Sequence, residues 1–253
     1  MNPIAVSLLA FALMLLGILV GSWVHRTLRE NHLSSDSKEV IKLSMGVMGT
    51  LTALVLGLLV ASAHGSYAER QSEVKQLTAY AILLDLLLEQ YGSDAESARV
   101  SLRHAVPHIA DRIWQEGQSA NLQSAPFEAV SQGEAFYREL QALQPSNDSQ
   151  RDMKSRLLQI AIDTAQARLL LFSHLGSSIP VPFLIVLLAW LTILFGGFST
   201  LARPNAAAIV ALVICALSVS GAVLLILELD QPFSGFMAIQ SDLFRNALPP
   251  LTQ

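Results

Sequence analysis

The sequence predicts an all-α integral membrane protein in which four transmembrane helices flank a helical extramembrane domain. The chain of 253 residues is 52% hydrophobic and only 14% charged, with a mean hydropathy of +0.47. About a quarter of the residues in an ordinary soluble domain are charged, so this balance is typical of a membrane protein. The apolar residues concentrate in four uncharged blocks. Between the second and third blocks the periodicity is helical, without a strand pattern.

The four uncharged blocks cover residues 3–24, 43–63, 175–202 and 204–227. Each is long enough to cross ~30 Å of hydrocarbon at ~1.5 Å per residue. The first block has no basic segment before it and is longer than the apolar core of a signal peptide, so we interpret it as an uncleaved span. Four spans place both termini on the same side of the membrane as the extramembrane domain. The predicted domain limits are 1–64, 65–174, 175–229 and, for the C-terminal tail with its Pro-Phe turn, 230–253.

The extramembrane domain begins with a helix that continues from the second span. Over residues 69–91 the apolar side chains recur at a spacing near 3.6 residues, and the pattern ends at Gly92. Ser93 or Asp94 then caps the second helix of the domain.

Two further helices complete the predicted domain. The second helix reaches Trp114, and we expect an interruption at Pro107, which cannot donate a backbone hydrogen bond. Residues 119–125 are the predicted loop. A third helix covers 127–143, and a fourth begins after the turn and cap at 145–148 and leads into the third span.

The sequence offers no positive case for an enzyme or a cofactor. It contains no phosphate-binding loop, nucleophile elbow or zinc-protease motif. The net charge of −4 argues against a nucleic-acid surface. The single cysteine, Cys215, lies inside the fourth block, so no disulfide framework is predicted. His104, His108 and Asp111 have a zinc-like spacing, but a proline lies between the histidines and no fourth ligand is evident, so we predict no metal site.

The second span carries two distinct faces. Small or weakly polar residues form one face, namely Gly46, Thr50, Ala53, Gly57, Ala61 and His64. A bulkier neighbouring face contains Val47, Leu51, Val55, Leu58 and Ser62. One interpretation packs the small face on other helices and turns the bulkier face to a central axis as a narrow apolar neck. The alternative is a tightly packed helix without a pore. Spacing alone favours this alternative, because a face of small residues on a membrane helix mainly indicates close packing against another helix.

Charged and polar groups gather where the second span ends. His64, Glu69 and Arg70 lie within two turns of each other. In an oligomer, a ring of such groups would concentrate and screen ions. The alternative is interfacial anchoring with pairing along the helix, which is commoner for charges at helix ends.

A turn follows the fourth span. Glu228 and Asp230 precede Pro232, which stops the helix, and Gly235 permits a positive φ. Phe233 is the apolar residue of this otherwise polar turn. One interpretation has Asp230 or backbone carbonyls holding a cation or fixing a gating segment. Two carboxylates are too few for the 6–8 oxygen ligands of Ca²⁺, so we prefer a structural turn packed against the domain.

Two segments of the chain resemble the bestrophin-like membrane proteins, a bacterial and plant family named for its similarity to bestrophin chloride channels. The second span runs into Ser66-Tyr-Ala-Glu-Arg70, which is similar to the Ser-Tyr-Asp-Arg-Trp sequence that follows a Leu-Gly-rich span in bestrophins. The segment Asp230-Gln-Pro-Phe-Ser-Gly235, with Ser241-Asp-Leu243 after it, is similar to the bestrophin Asn-Pro-Phe-Gly turn and downstream Asp-Leu-Pro. The order of spans and domain also agrees.

The resemblance implies a homo-oligomer, a pentamer in bestrophins, that lies in the lipid bilayer and conducts inorganic anions such as chloride along its second spans. The candidate pore-lining residues are then Leu51, Val55, Leu58 and Ser62, and the candidate exit residues are His64, Ser66 and Arg70. The resemblance also places the termini and the domain in the cytoplasm, at a bacterial inner membrane. Lys and Arg counts are nearly equal on the two sides and leave this orientation open.

Two expectations limit the resemblance. The acidic run of the bestrophin calcium site is absent after Gly235, so calcium gating is not expected. The alternative to a channel is a non-conducting membrane protein whose helical domain senses or scaffolds a partner. Such a protein would present an exposed apolar patch on residues 93–145.

Overall fold

The computed structural model describes residues 2–27, 35–118, 125–173, 179–201 and 206–248. These residues form eight α-helices and no strand, which confirms the predicted all-α class. The helices are α1 (Pro3–Thr27), α2 (Ser35–Tyr91), α3 (Glu96–Gln118), α4 (Ala125–Ala142), α5 (Asp148–Ser173), α6 (Val181–Leu201), α7 (Ala206–Leu229) and α8 (Asp242–Arg245).

Four of these helices, α1, α2, α6 and α7, are long and apolar enough to cross a membrane. They correspond to the four uncharged blocks of the sequence. The third uncharged block begins at residue 175, whereas the corresponding helix, α6, begins at Val181, directly after Pro180. Proline suits the start of a helix, where its missing N–H would be unbonded in any case. Since α5 ends at Ser173, the last domain helix and this span are separate helices.

The chain divides into two compact units. We call Met1–Ser66 with Ser178–Asp230 the membrane unit, and Tyr67–Ser177 with Gln231–Gln253 the domain unit. The boundary near Ser66 falls inside α2, so this long helix contributes to both units. After α7, the chain from Gln231 onward belongs to the domain unit.

In the membrane unit, α1 lies very close to α6. Gly17 and Gly21, one turn apart on α1, face the α6 backbone. A Cβ added at Gly17 would lie 2.5 Å from the carbonyl oxygen of Thr192, and one at Gly21 would overlap the carbonyl oxygen of Gly196. The Gly-x-x-x-Gly spacing therefore lets two backbones meet, as small residues commonly do in membranes.

Hydroxyl groups fasten α1 to both of its neighbours. Ser199 Oγ on α6 donates a 2.7 Å hydrogen bond to the carbonyl oxygen of Ile18. Ser220 Oγ on α7 donates a 2.7 Å hydrogen bond to the carbonyl oxygen of Ser7. All four residues are buried, so each hydroxyl is satisfied where no water competes.

The domain unit has its own apolar core, built from α2, α3, α4, α5 and the C-terminal residues. The predicted apolar face of residues 69–91 is buried at every position, namely Val74, Leu77, Ala81, Leu84 and Leu88. The helix ends at Tyr91 as predicted, since Gly92 adopts a φ of 107°. A single 3-10 turn, Ser93–Ala95, leads into α3 and has no side-chain cap.

The predicted interruption at Pro107 is wrong, because α3 continues through it from Glu96 to Gln118. A proline inside a helix removes one hydrogen bond and costs ~3 kcal/mol. Here Leu102, Val106, Ala110 and Ile113 on the same helix are all buried in the core. Tertiary packing of this face offsets the local penalty of the proline.

The remaining helices of the domain lie close to their predicted limits. α4 covers Ala125–Ala142, where 127–143 was predicted. A cap is predicted within 145–148, and the structure assigns it to Asn147, whose Oδ1 accepts a 2.8 Å hydrogen bond from the backbone N–H of Gln150. The predicted loop falls almost wholly on residues 119–124, which lie outside the described ranges.

Candidate pore helix and C-terminal turn

Within the membrane unit, α2 is the least buried of the four long apolar helices. Of the 18 residues in its most apolar stretch, only 11% are buried by the rest of the chain. The corresponding fraction is 33% for α1 and for α6 and 22% for α7. Its buried side is narrow and consists of Thr52, Leu59 and Ala63. Within the membrane unit, most of the α2 surface is therefore not buried by packing in a single chain.

The predicted pore-lining residues lie mainly on the exposed side of α2. Leu58 is 69% exposed, and Leu51 and Ser62 are exposed as well. Val55 differs, because it is half-buried and packs against the core of the membrane unit. Val55 thus marks the edge where the exposed side meets the packed side.

The small face of α2 is exposed too. A Cβ added at Gly46 or Gly57 would meet no described atom of the chain within 4 Å. Thr50 Oγ1 donates its 2.8 Å hydrogen bond to the carbonyl oxygen of Val47 on the same helix. Among the described residues, the small face therefore packs on no other helix of this chain.

Sequence reasoning missed Leu54, which is 71% exposed and lies between the two faces. The signal was present in the 4-3-4 spacing of Val47, Leu51, Leu54 and Leu58. This spacing places the four side chains along one stripe of the helix. The division into small and bulky faces hid it, because Leu54 belongs to neither set.

The three predicted exit residues have different environments. His64 is exposed and Ser66 is half-buried. Arg70 is only 4% exposed, so its guanidinium is shielded from solvent by the chain itself. A screening ring open to ions therefore fits His64 better than Arg70.

The Pro-Phe turn is built as a tight reversal. Ser234 donates its backbone N–H to the carbonyl oxygen of Gln231 at 3.1 Å, and Gly235 has a φ of 84°. Only glycine adopts such a φ without strain. Asp230, just before the turn, is buried rather than open to solvent.

In the domain unit, Phe233 is a buried anchor. Its ring packs edge-on against Trp114 at a centroid distance of 5.4 Å. Trp114 Nε1 also donates a 2.8 Å hydrogen bond to the carbonyl oxygen of Ile239. An aromatic contact and a hydrogen bond therefore hold the residues after the turn on α3. Such contacts are typical of a segment with a structural role.

No metal centre is formed by the part of the chain that the structure describes, since no three His, Cys, Asp or Glu side chains cluster there. His104 and His108 are exposed on α3. Asp111, the third residue of that spacing, pairs with Arg245 of α8. Its carboxylate thus joins the C-terminal residues to α3.

The domain unit also contains a buried ion-pair cluster. Asp85 on α2 accepts hydrogen bonds from Arg99 at 3.0 and 3.3 Å and from Arg103 at 2.9 and 3.0 Å. Both guanidinium groups bind the carboxylate in a bidentate manner, the strongest geometry for such a pair. The cluster fastens α2 to α3.

Four apolar helices and this fold define an integral membrane protein of the α-helical, multi-span class. A sequence model of the Bestrophin-like domain matches residues 12–244, so the chain belongs to the Bestrophin-like family. The resemblance drawn from the Ser66–Arg70 and Asp230–Gly235 segments is thereby confirmed.

The structure is similar to the crystal structure of a bacterial bestrophin homologue from Klebsiella pneumoniae that carries a point mutation. The TM-score is 0.64, the sequence identity is 12%, and the match covers 97% of this chain and 96% of the other. At this identity the likeness shows a shared fold. No protein with a curated description matches the sequence.

Proposed function

We propose that the protein is a homo-oligomeric channel in which the α2 helices of several copies surround a path for anions, chloride foremost. The observation that carries this proposal is the exposure of the α2 span. Only 11% of the residues in its most apolar stretch are buried within a single chain. Membership of the Bestrophin-like family supports it. By the same resemblance, we propose a pentamer in a bacterial inner membrane with the domain in the cytoplasm.

Lipid alone does not account for the exposed side of α2. A glycine in a helix costs ~0.5–1 kcal/mol relative to alanine, and a Cβ added at Gly46 or Gly57 would meet no atom of the described chain within 4 Å. Glycine and hydroxyl residues on a membrane helix usually serve close approach of another helix. A neighbouring copy of the chain would supply that helix.

The proposed path has an apolar neck and a polar end. Leu51, Val55 and Leu58 form the neck, to which we add Leu54, and apolar constrictions of this kind gate by dewetting. Ser62 and His64 follow at the end of the span and offer donor groups to an anion. No carboxylate occurs on α2 between Glu39 and Glu69, which favours anions over cations.

The alternative, a non-conducting sensor or scaffold, predicts an apolar patch on residues 93–145. Among the described side chains of 93–115 and 133–145, no large hydrophobic residue is exposed. This observation favours the channel over a partner-binding domain surface.

The channel is tested by chemical block of a single introduced thiol. In a Cys215→Ala background, Ser62→Cys protein in chloride-loaded liposomes should release chloride, and a charged thiol reagent should stop the release. The physical reason is that Ser62 lines a water-filled path, where its thiol ionises and reacts. A chloride electrode measures the efflux before and after the reagent.

The matched control is Leu217→Cys in the same background, because Leu217 is also exposed but lies on α7. Its efflux should be insensitive to the reagent. Liposomes that retain chloride with the unmodified protein would remove the channel function altogether. Block at Leu217 but not at Ser62 would move the path to α7.

The assembly surface is tested by filling the small face. Gly57→Leu should leave the single chain folded, since no described atom lies near that Cβ, and should reduce the oligomer to smaller species. Gly221→Leu on α7 is the control, because its surroundings are equally open. Light scattering coupled to size-exclusion chromatography gives the mass of each, and an unchanged Gly57→Leu oligomer would contradict an α2 interface.

A further inference from the structure

The domain unit contains an apolar cavity of about 600 Å³. Helices α2, α3, α4 and α5 form its walls, mainly with aliphatic and aromatic side chains such as Leu77, Leu84, Val106, Phe136 and Ala161. This volume falls within the ~300–1,000 Å³ usual for small-molecule sites. At the rim, Ile162 and Leu169 extend the apolar lining to the surface, where both are exposed.

One cation is buried in this apolar lining. Arg168 on α5 is only 8% exposed, and its Nε makes no hydrogen bond within the described structure. None of the described carboxylates forms an ion pair with it. Glu134, a carboxylate of the same lining, is exposed at the rim instead.

Among the described residues, nothing compensates the charge of Arg168. Burial lowers the pKa of Arg168, and the nearby positive charge of Arg112 lowers it further. On α4, Gly133 leaves room for the guanidinium, since a Cβ there would lie 3.1 Å from Nη2 of Arg168. A buried charge without a partner is strongly unfavourable unless something else supplies the counter-charge.

We propose that this cavity binds an amphipathic carboxylate, with its head paired to Arg168 and its apolar chain among the lining side chains. A guanidinium donates two hydrogen bonds to a carboxylate in bidentate geometry. The lining offers an aliphatic chain a mostly apolar surface, with Arg138, Thr164 and Gln166 as further polar lining residues. The site lies wholly in the domain unit, so its occupancy is independent of whether α2 lines a path.

The test is a fluorescence titration of the full chain in nanodiscs of zwitterionic lipid, with 11-(dansylamino)undecanoate as the probe and empty nanodiscs subtracted. The probe should bind saturably, and dodecanoate should displace it, whereas dodecanol and acetate should not. Arg168→Gln should weaken probe binding about tenfold or more, because the charge-assisted hydrogen bonds are lost. Arg156→Gln, an exposed arginine on the same helix, should bind like the unmodified protein.

Thermal unfolding of delipidated protein separates a binding role from a structural one. Arg168→Gln should melt at the same or a higher temperature, because it removes an uncompensated buried charge. Dodecanoate should raise the melting temperature of the unmodified protein but not that of the variant. Gly133→Val keeps the arginine, crowds its guanidinium and should also weaken probe binding.

Unchanged probe affinity in both Arg168→Gln and Gly133→Val would overturn the proposal. Equal displacement by dodecanol would do so as well, since the head group would then play no part. A markedly lower melting temperature of Arg168→Gln would assign Arg168 to internal pairing and equally reject the site.

Discussion

Asp85→Ala is expected to destabilise the domain unit by about 3–5 kcal/mol, because it leaves two largely buried guanidinium groups without their shared carboxylate. Arg99 and Arg103 both bind Asp85 in the structure. For a chain of this size, such a loss lowers the melting temperature by roughly 10 °C or more. Intrinsic fluorescence of the detergent-solubilised protein during heating measures the shift.

The matched control removes a different ion pair with the same substitution. Asp148 pairs with Arg151 on the surface, where both side chains are largely exposed. Water and salt screen such a pair, so Asp148→Ala should change the melting temperature little. Equal melting temperatures for the two alanine variants would show that the Asp85 cluster does not hold α2 on α3.

Gly21→Val should prevent α1 from packing on α6. A Cβ at position 21 overlaps the carbonyl oxygen of Gly196 and lies 2.9 Å from Cβ of Ser199. Since the first overlap is with backbone, no side-chain rotation relieves it, and we expect a loss of at least about 3 kcal/mol, the upper end for overpacking. The yield of monodisperse protein and its melting temperature should both fall.

Gly221→Val provides the comparison, because the same substitution on α7 meets open space. Its yield and melting temperature should match those of the unmodified protein. A Gly21→Val protein that is as monodisperse and as heat-stable as Gly221→Val would mean that the α1–α6 contact is not tight.

The two glycine patterns of the membrane unit have different roles. Gly17 and Gly21 on α1 meet the backbone of α6 within one chain. A Cβ added at Gly46 or Gly57 on α2 would meet no atom that the structure describes, and in our proposal these glycines face another copy. The sequence shows both patterns equally well, but only the packed structure separates an internal contact from an open face.

At the turn after α7, too, the sequence predicts one part of the arrangement and only the packed structure shows the other. Pro232 and Gly235 predict a helix stop and a positive φ, because each has a local conformational preference that needs no partner. The burial of Phe233 against Trp114 depends on a residue more than a hundred positions earlier. No local pattern in the sequence connects those two rings.

The prediction for Pro107 failed for a related reason. Proline disfavours the interior of a helix, and this preference is local. The buried face of α3 depends on its contacts with the other domain helices, which sequence spacing does not quantify. The sum of those contacts outweighed one lost hydrogen bond.

By itself, the sequence determined the four spans, the all-α class, the helical domain and the family, because hydropathy, periodicity and short motifs are properties of neighbouring residues. Tertiary structure alone decided which face of α2 stays open, where α1 meets α6, and that Arg168 lies in an apolar cavity without a partner among the described residues. These features depend on residues far apart in the chain, whose packing and burial arise only when the helices come together.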